Sequence, residues 1–326
     1  MTIFSAIRDG LRRVTASSKL IFFLWLFNFA MALPLALMMS DQIEASLGAS
    51  LRHEKLRIGF DMDWYEEFSH NANDLGKTFS PAVIGIGPFL GNLESWLNGS
   101  LWAGHSGLIG LGAGYMIVWM FLLGGILERF ARRDEPLTMA QFFRACGYYV
   151  LRFILLFLLA AVFYFFIFTA VAPALFSVIA NSARDTTVER NVFFLVAGAY
   201  AIIALLLATV NMAFDYAKIS TVIRGQRNML AAASEGFRFV FAHPAPAFGL
   251  YLVLGLFIAL ALGLYRLIAP GAGQASGLAI FLAFLSSQIF LAIKLMARLT
   301  FFGGQMALYE TAMKKNAPAM AESLSD

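Results

Sequence analysis

Leu20 to Met39 reads LIFFLWLFNFAMALPLALMM, an apolar run interrupted only by Asn28 and with no charged residue. At a helical rise of about 1.5 Å per residue such a run covers the roughly 30 Å of hydrocarbon in a bilayer. Arg8, Arg12 and Arg13 precede it as they would a secretory signal, but the run exceeds a usual signal core and no small-x-small cleavage site follows, so it reads as a retained span. Five further runs qualify: residues 108–127, 153–172 (with an extension to Ala180 past Pro173 left open), 192–214, 245–268 and 278–302. None alternates polar with apolar residues as a membrane β-barrel strand does, and a lone span in lipid must satisfy its own backbone, so all six are expected to be helices. The fold class is therefore all-α: a polytopic membrane protein with six transmembrane helices in a single membrane domain.

The whole composition agrees. Of 326 residues, 60% are hydrophobic and 13% charged, against about 25% charged in soluble domains, and the mean hydropathy is +0.73. A soluble enzyme and a disordered chain are excluded, because too little polar material exists to cover either. The net charge of +4 is spread between apolar runs rather than gathered in a patch, which points to membrane topology and away from nucleic acid. A single cysteine, Cys146, excludes an internal disulfide. Lys and Arg crowd one set of flanks, Arg8 to Lys19, Arg129 to Arg152, Lys218 to Arg238, then Lys314 and Lys315, whereas the opposite short loops hold only Arg184, Arg190 and Arg266. The positive-inside rule then places both termini in the cytoplasm of a bacterial inner membrane, residues 1–19 as an interfacial helix, 40–106 as an outer periplasmic loop, and 303–326 as a cytoplasmic helix and tail.

A threefold repeat is expected within this plan. Asp9-Gly10-Leu11-Arg12-Arg13-Val14 matches Glu235-Gly236-Phe237-Arg238-Phe239-Val240, and Cys146-Gly147-Tyr148-Tyr149-Val150 keeps the Gly and part of the apolar pattern. Leu123-Gly124-Gly125 and Phe302-Gly303-Gly304 echo each other where the second and sixth spans end. The inferred unit is an interfacial helix followed by two spans; three unrelated amphipathic linkers are the alternative. Ile3, Phe4, Ile7, Leu11 and Val14 recur at helical spacing beside Arg8 and Arg12, the pattern of a helix lying among headgroups. Simple anchoring is one role for such helices. A collar formed by Arg8, Arg12, Arg13, Arg132, Arg133, Arg144 and Arg238, binding anionic lipid or a partner protein, is the sharper one.

Chemistry is harder to find. His53, His70, His105 and His243 show no i, i+4 pair for zinc, and no cofactor is expected. Gly110-Leu111-Gly112-Ala113-Gly114 lies inside a span, where small residues serve packing. Asp61, Asp63, Glu66 and Glu67 lack the spacing of an EF-hand and read as a solvated acidic helix. Phe89, Leu93, Trp96 and Leu97 form a stripe suited to a short lid-like helix. Asn211, Asp215 and Lys218 share one face of the fourth span, and Lys294 and Arg298 one face of the sixth, so an intramembrane contact between Asp215 and Lys294 or Arg298 is expected, either as a structural clamp or as a translocation site.

The junction Phe214-Asp215-Tyr216-Ala217-Lys218-Ile219 followed by Glu235-Gly236-Phe237-Arg238-Phe239-Val240 resembles a loose group of uncharacterised bacterial six-helix inner-membrane proteins. That group is similar to the membrane domain fused to some glycerophosphodiester phosphodiesterases. The resemblance implies a helical accessory membrane module and transfers no catalytic residue. The expected function is a non-catalytic scaffold or accessory subunit contacting lipid, another membrane protein or a second copy of itself. A transporter or lipid-handling permease with a polar site near Asp215 and Lys294 is the alternative, and a membrane enzyme built from His53, His70 and the loop carboxylates the third. In a Cys146→Ser background, a membrane-impermeant thiol reagent added outside should label His70→Cys and spare Arg132→Cys; the reverse pattern overturns the topology.

Overall fold

The computed structural model describes residues 2–48, 56, 61–72, 75–79, 106–132, 135, 138–183, 189–268 and 276–322. Among these the chain forms α1 (Ile3–Thr15), α2 (Ser18–Leu47), α3 (Met62–Asn71), α4 (Ser106–Ala131), α5 (Met139–Phe166), α6 (Ala172–Ala183), α7 (Glu189–Arg224), α8 (Met229–Ala242), α9 (Pro244–Ile268) and α10 (Gly277–Glu322), with no strand. Six helices are long and apolar enough to cross a membrane, so the protein is an all-α polytopic membrane protein. Arg133, His53, His105, Glu54 and the stripe from Phe89 to Leu97 lie outside the described residues.

Two departures from the sequence reading have plain causes. The segment before the third span does not fold as a separate helix: α5 starts at a capping box, in which the Thr138 side chain accepts from the Gln141 amide and the Gln141 side chain accepts from the Thr138 amide, and continues unbroken into the span. Nothing between Met139 and Phe166 breaks a helix, so the span keeps the axis of its amphipathic start. Beyond it, one π-turn at Ile167–Val171 absorbs the approach to Pro173 and passes directly into α6. Likewise α10 runs from the sixth span to Glu322 without a break. By contrast α1 and α2 are separated at Ala16 and Ser17, and α8 and α9 at His243, where Pro244 opens the next helix.

The chain divides into two compact units. The second, Val14–Met116 with Leu254–Arg298, contains α2 and α3. Within α2 the Asn28 amide donates to the Leu24 carbonyl at 2.7 Å and its oxygen accepts from the Tyr115 hydroxyl at 2.8 Å. Asp61 caps α3 by accepting from the Trp64 amide. Trp64 and Phe68, both buried, stack on each other and meet Phe79, while the Trp64 ring donates to Ser46 at 3.1 Å. Asp63, Glu66, Glu67 and His70 face outward.

The first unit, Met1–Arg13, Ile117–Val253 and Leu299–Asp326, contains three junctions of one design. A collar helix lies across the end of a spanning helix: α1 on α10, the start of α5 on α4, and α8 on α7. A Cβ built on Gly10 would sit 2.5 Å from the Thr300 carbonyl oxygen and 2.7 Å from the Gly304 nitrogen; on Gly236 it would sit 2.0 Å from the Ala213 carbonyl oxygen and 3.0 Å from the Ala217 nitrogen. In the middle junction the glycines are on the other partner, Gly124 facing the Cys146 Cα and Gly125 facing Cys146 Sγ and the Phe142 ring. Each junction thus has glycine on at least one side, which lets backbone meet backbone. The order is cyclic, since each collar helix docks on the span before it and the first docks on the last.

These contacts correct the repeat alignment by one residue. Cys146, not Gly147, occupies the place of Gly10 and Gly236: the Cβ of Gly124 would meet the Cys146 Cα as that of Gly303 would meet the Gly10 Cα, and Gly147 faces open space. Gly236→Ala should therefore lower the melting temperature in detergent, by the roughly 1–3 kcal/mol that overpacking costs. Gly147→Ala should be neutral or stabilising by up to about 1 kcal/mol of helix propensity. Equal effects of the two substitutions would contradict this register.

Candidate functional site

The corrected register sorts the collar arginines. Two residues before the docking position come Arg8, Arg144 and Ser234; two after it come Arg12, Tyr148 and Arg238. All six positions are exposed, because a helix docked on one face turns residues two places to either side away from the partner. Exposed apolar side chains stand beside them: Phe4 and Leu11 on α1, Met139 and Phe143 on α5, Leu230 and Phe241 on α8. Phe4 is 77% exposed, a value far outside packing needs.

Arg13 does not belong to that surface. It sits three residues beyond the docking position, as do Tyr149 and Phe239, and all three are buried. Its Nη1 donates to the Phe130 carbonyl at 2.8 Å, which satisfies an end carbonyl of α4. The guanidinium also forks onto Glu310 at 2.7 and 3.1 Å, and its Nε donates to Asp9 at 3.0 Å. Burial alone would lower its pKa, but the hydrogen bond and charge of Glu310, with Asp9 behind them, outweigh burial and hold it above the ordinary arginine value. Consecutive residues on a helix lie about 100° apart, and here Arg13 falls on the docked face of α1 while Arg12 falls outside it. Arg132 is exposed but pairs with Glu128 at 2.7 Å and Glu135 at 3.6 Å.

A second clamp joins α8 to α10. Glu235 accepts from the Tyr309 hydroxyl and the Gln226 amide and pairs with Arg224 at 3.0 Å. Arg152 lies over the Tyr148 ring at 4.3 Å and donates to the Gln226 carbonyl at 3.4 Å. Tyr309 and Glu310, adjacent on α10, thus receive the two clamps. Neither was legible in the sequence, because Arg13 and Glu310 are separated by nearly the whole chain and the residues around them are ordinary helix formers.

The polar residues of α7 and those of α10 sit in different environments. Asp215 is buried, and its carboxylate accepts from Lys218 at 2.9 Å one turn along α7. Asn211 donates to the Tyr251 hydroxyl on α9 at 2.8 Å, and Tyr164 on α5 and Tyr251 both lie within electrostatic reach of Asp215. The Tyr216 hydroxyl, also buried, has no hydrogen-bond partner among the described residues. Lys294 and Arg298, on the part of α10 that belongs to the second unit, are exposed. His243 uses Nδ1 on the Phe239 carbonyl and stacks on the Phe239 ring.

Fold and sites together define an integral membrane protein of the six-span, all-α class. Comparison with known protein families, with curated proteins and with solved structures gives no match. The Arg13 clamp yields a direct test. Arg13→Met should lower stability by about 2–3 kcal/mol, somewhat below the ~3–5 of a fully buried pair because Glu310 is partly exposed. Adding Glu310→Gln should recover part of that loss, and strictly additive losses in the thermal-unfolding cycle would show that the two residues do not interact.

Proposed function

We propose that the chain is a non-catalytic scaffold or accessory subunit of a bacterial inner membrane, with its termini and collar on the cytoplasmic side, and that the collar engages anionic lipid headgroups or a second membrane protein. The observation that carries this reading is the repetition of exposed arginines beside exposed apolar side chains on three helices whose other faces are fully packed. α1 and α8, set off from the next spans at Ala16–Ser17 and His243, would lie in the headgroup plane with apolar residues in the acyl boundary and cations against phosphate, and the start of α5, coaxial with its span, would carry Arg144 into the same layer. The expected resemblance to membrane modules of accessory character agrees with it. A permease is the second reading, supported by the buried Asp215 and the tyrosines around it from neighbouring helices.

Melting temperatures in phosphatidylcholine nanodiscs with and without phosphatidylglycerol test the first reading. Phosphatidylglycerol should stabilise the protein, less so at high salt, and the exposed triple variant Arg8→Gln, Arg144→Gln, Arg238→Gln should lose most of that gain at about 1 kcal/mol per cation. Solute flux or substrate turnover by the purified protein alone in vesicles would decide against the scaffold and for the permease or an enzyme.

A further inference from the structure

Lys294 stands inside the sixth apolar run, eight residues before its end at Phe302, which at helical rise is about 12 Å into the hydrocarbon. It is exposed and makes no hydrogen bond or ion pair among the described residues. Within the second unit α10 meets α2 through Phe284, edge-on to Phe29, and through Ala292, and it meets α9 through Phe290, stacked on Tyr265. Lys294 is two residues past Ala292, about 200° round the helix, so it turns away from α2. It is also one turn past Phe290, at the edge of the seam with α9. Arg298 is exposed one turn further on.

The chain supplies no counter-charge at that depth. None of the six apolar runs contains an Asp or Glu, and Asp215, just past the fourth, is buried and holds Lys218. A second copy of the chain brings the same six runs, so it offers no carboxylate either. Headgroup phosphate is out of reach as well, because an extended lysine stem covers about 6 Å, half the distance to the end of the run. A cation left in hydrocarbon is costly and as a rule is paired. The missing partner is therefore an anion carried into the membrane by another protein.

We infer that the Lys294 edge of α10 docks a spanning helix of a different membrane protein, one with an Asp or Glu at the depth of Lys294. The docking rests on the accessory-subunit reading and gives the partner its chemistry, a single acid in an otherwise apolar helix. The probe is a synthetic Leu/Ala peptide of about 24 residues, long enough to span, with one Glu eight residues from one end, compared with the same peptide carrying Gln. In phosphatidylcholine vesicles, energy transfer between labelled peptide and labelled protein should show the Glu peptide associating about tenfold more strongly than the Gln peptide. Lys294→Leu, a change at an exposed position, should abolish that preference without lowering the melting temperature, and Lys294→Arg should keep it. Equal association of the two peptides with the unaltered protein, or a preference that survives Lys294→Leu, would overturn the docking site. Equal association combined with phosphatidylglycerol stabilisation lost in Lys294→Leu would overturn it in favour of a lipid headgroup. Solute flux by the protein alone in the same vesicles is scored separately: it defeats the accessory-subunit reading whichever peptide binds.

Discussion

Lipid tails are as apolar as leucine, so two spanning helices gain little from being pressed together by solvent. They associate through close packing and through polar links that the packing makes possible. In the first unit that packing is the backbone-to-backbone approach at Gly10, Gly236 and the Gly124-Gly125 pair, where even a methyl group on glycine would overlap a carbonyl, a thiol or a ring. The clamps depend on it. If α1 stood off from α10, the Arg13 guanidinium would not reach Glu310 and the Phe130 carbonyl together, and a displaced α8 would take Glu235 away from Tyr309.

The charges are divided accordingly. A buried ion pair is retained only where further hydrogen bonds satisfy it, and Arg13, with two carboxylates and a carbonyl, meets that condition. Glu235, with a phenol, an amide and Arg224, meets it as well. Arg8, Arg144 and Arg238 stay outside, where hydration costs nothing. The same helices thus hold the unit together with one face and offer cations with the other. Tyr309 and Glu310 lie about 100° apart on α10, so the two clamps approach that helix from different sides.

Asp215 shows how local geometry competes with long-range pairing. Lys218 stands one turn away on the same helix, and an i, i+3 ion pair forms with no loop to close. Tyrosines from α5 and α9 add a polar surround that charge patterns alone do not reveal, since a tyrosine within an apolar run reads as packing.

The sequence by itself determined the class of protein: six runs, free of charge except for Arg266, Lys294 and Arg298, and long enough to span a bilayer, admit only helices there, because backbone groups in lipid must be satisfied within the segment. It also determined which residues are amphipathic, since helical periodicity is a local property. The tertiary structure decided the register of the repeat and the fate of individual charges. Gly147 and Cys146 are neighbours in a helix, and which one meets the span depends on a rotation of about 100° that no local pattern records. Arg12 and Arg13 are distinguished the same way, one exposed and one buried. Glu310 becomes the partner of Arg13 only because the last helix returns beside the first, a closure between residues too far apart in the chain for any spacing rule to register.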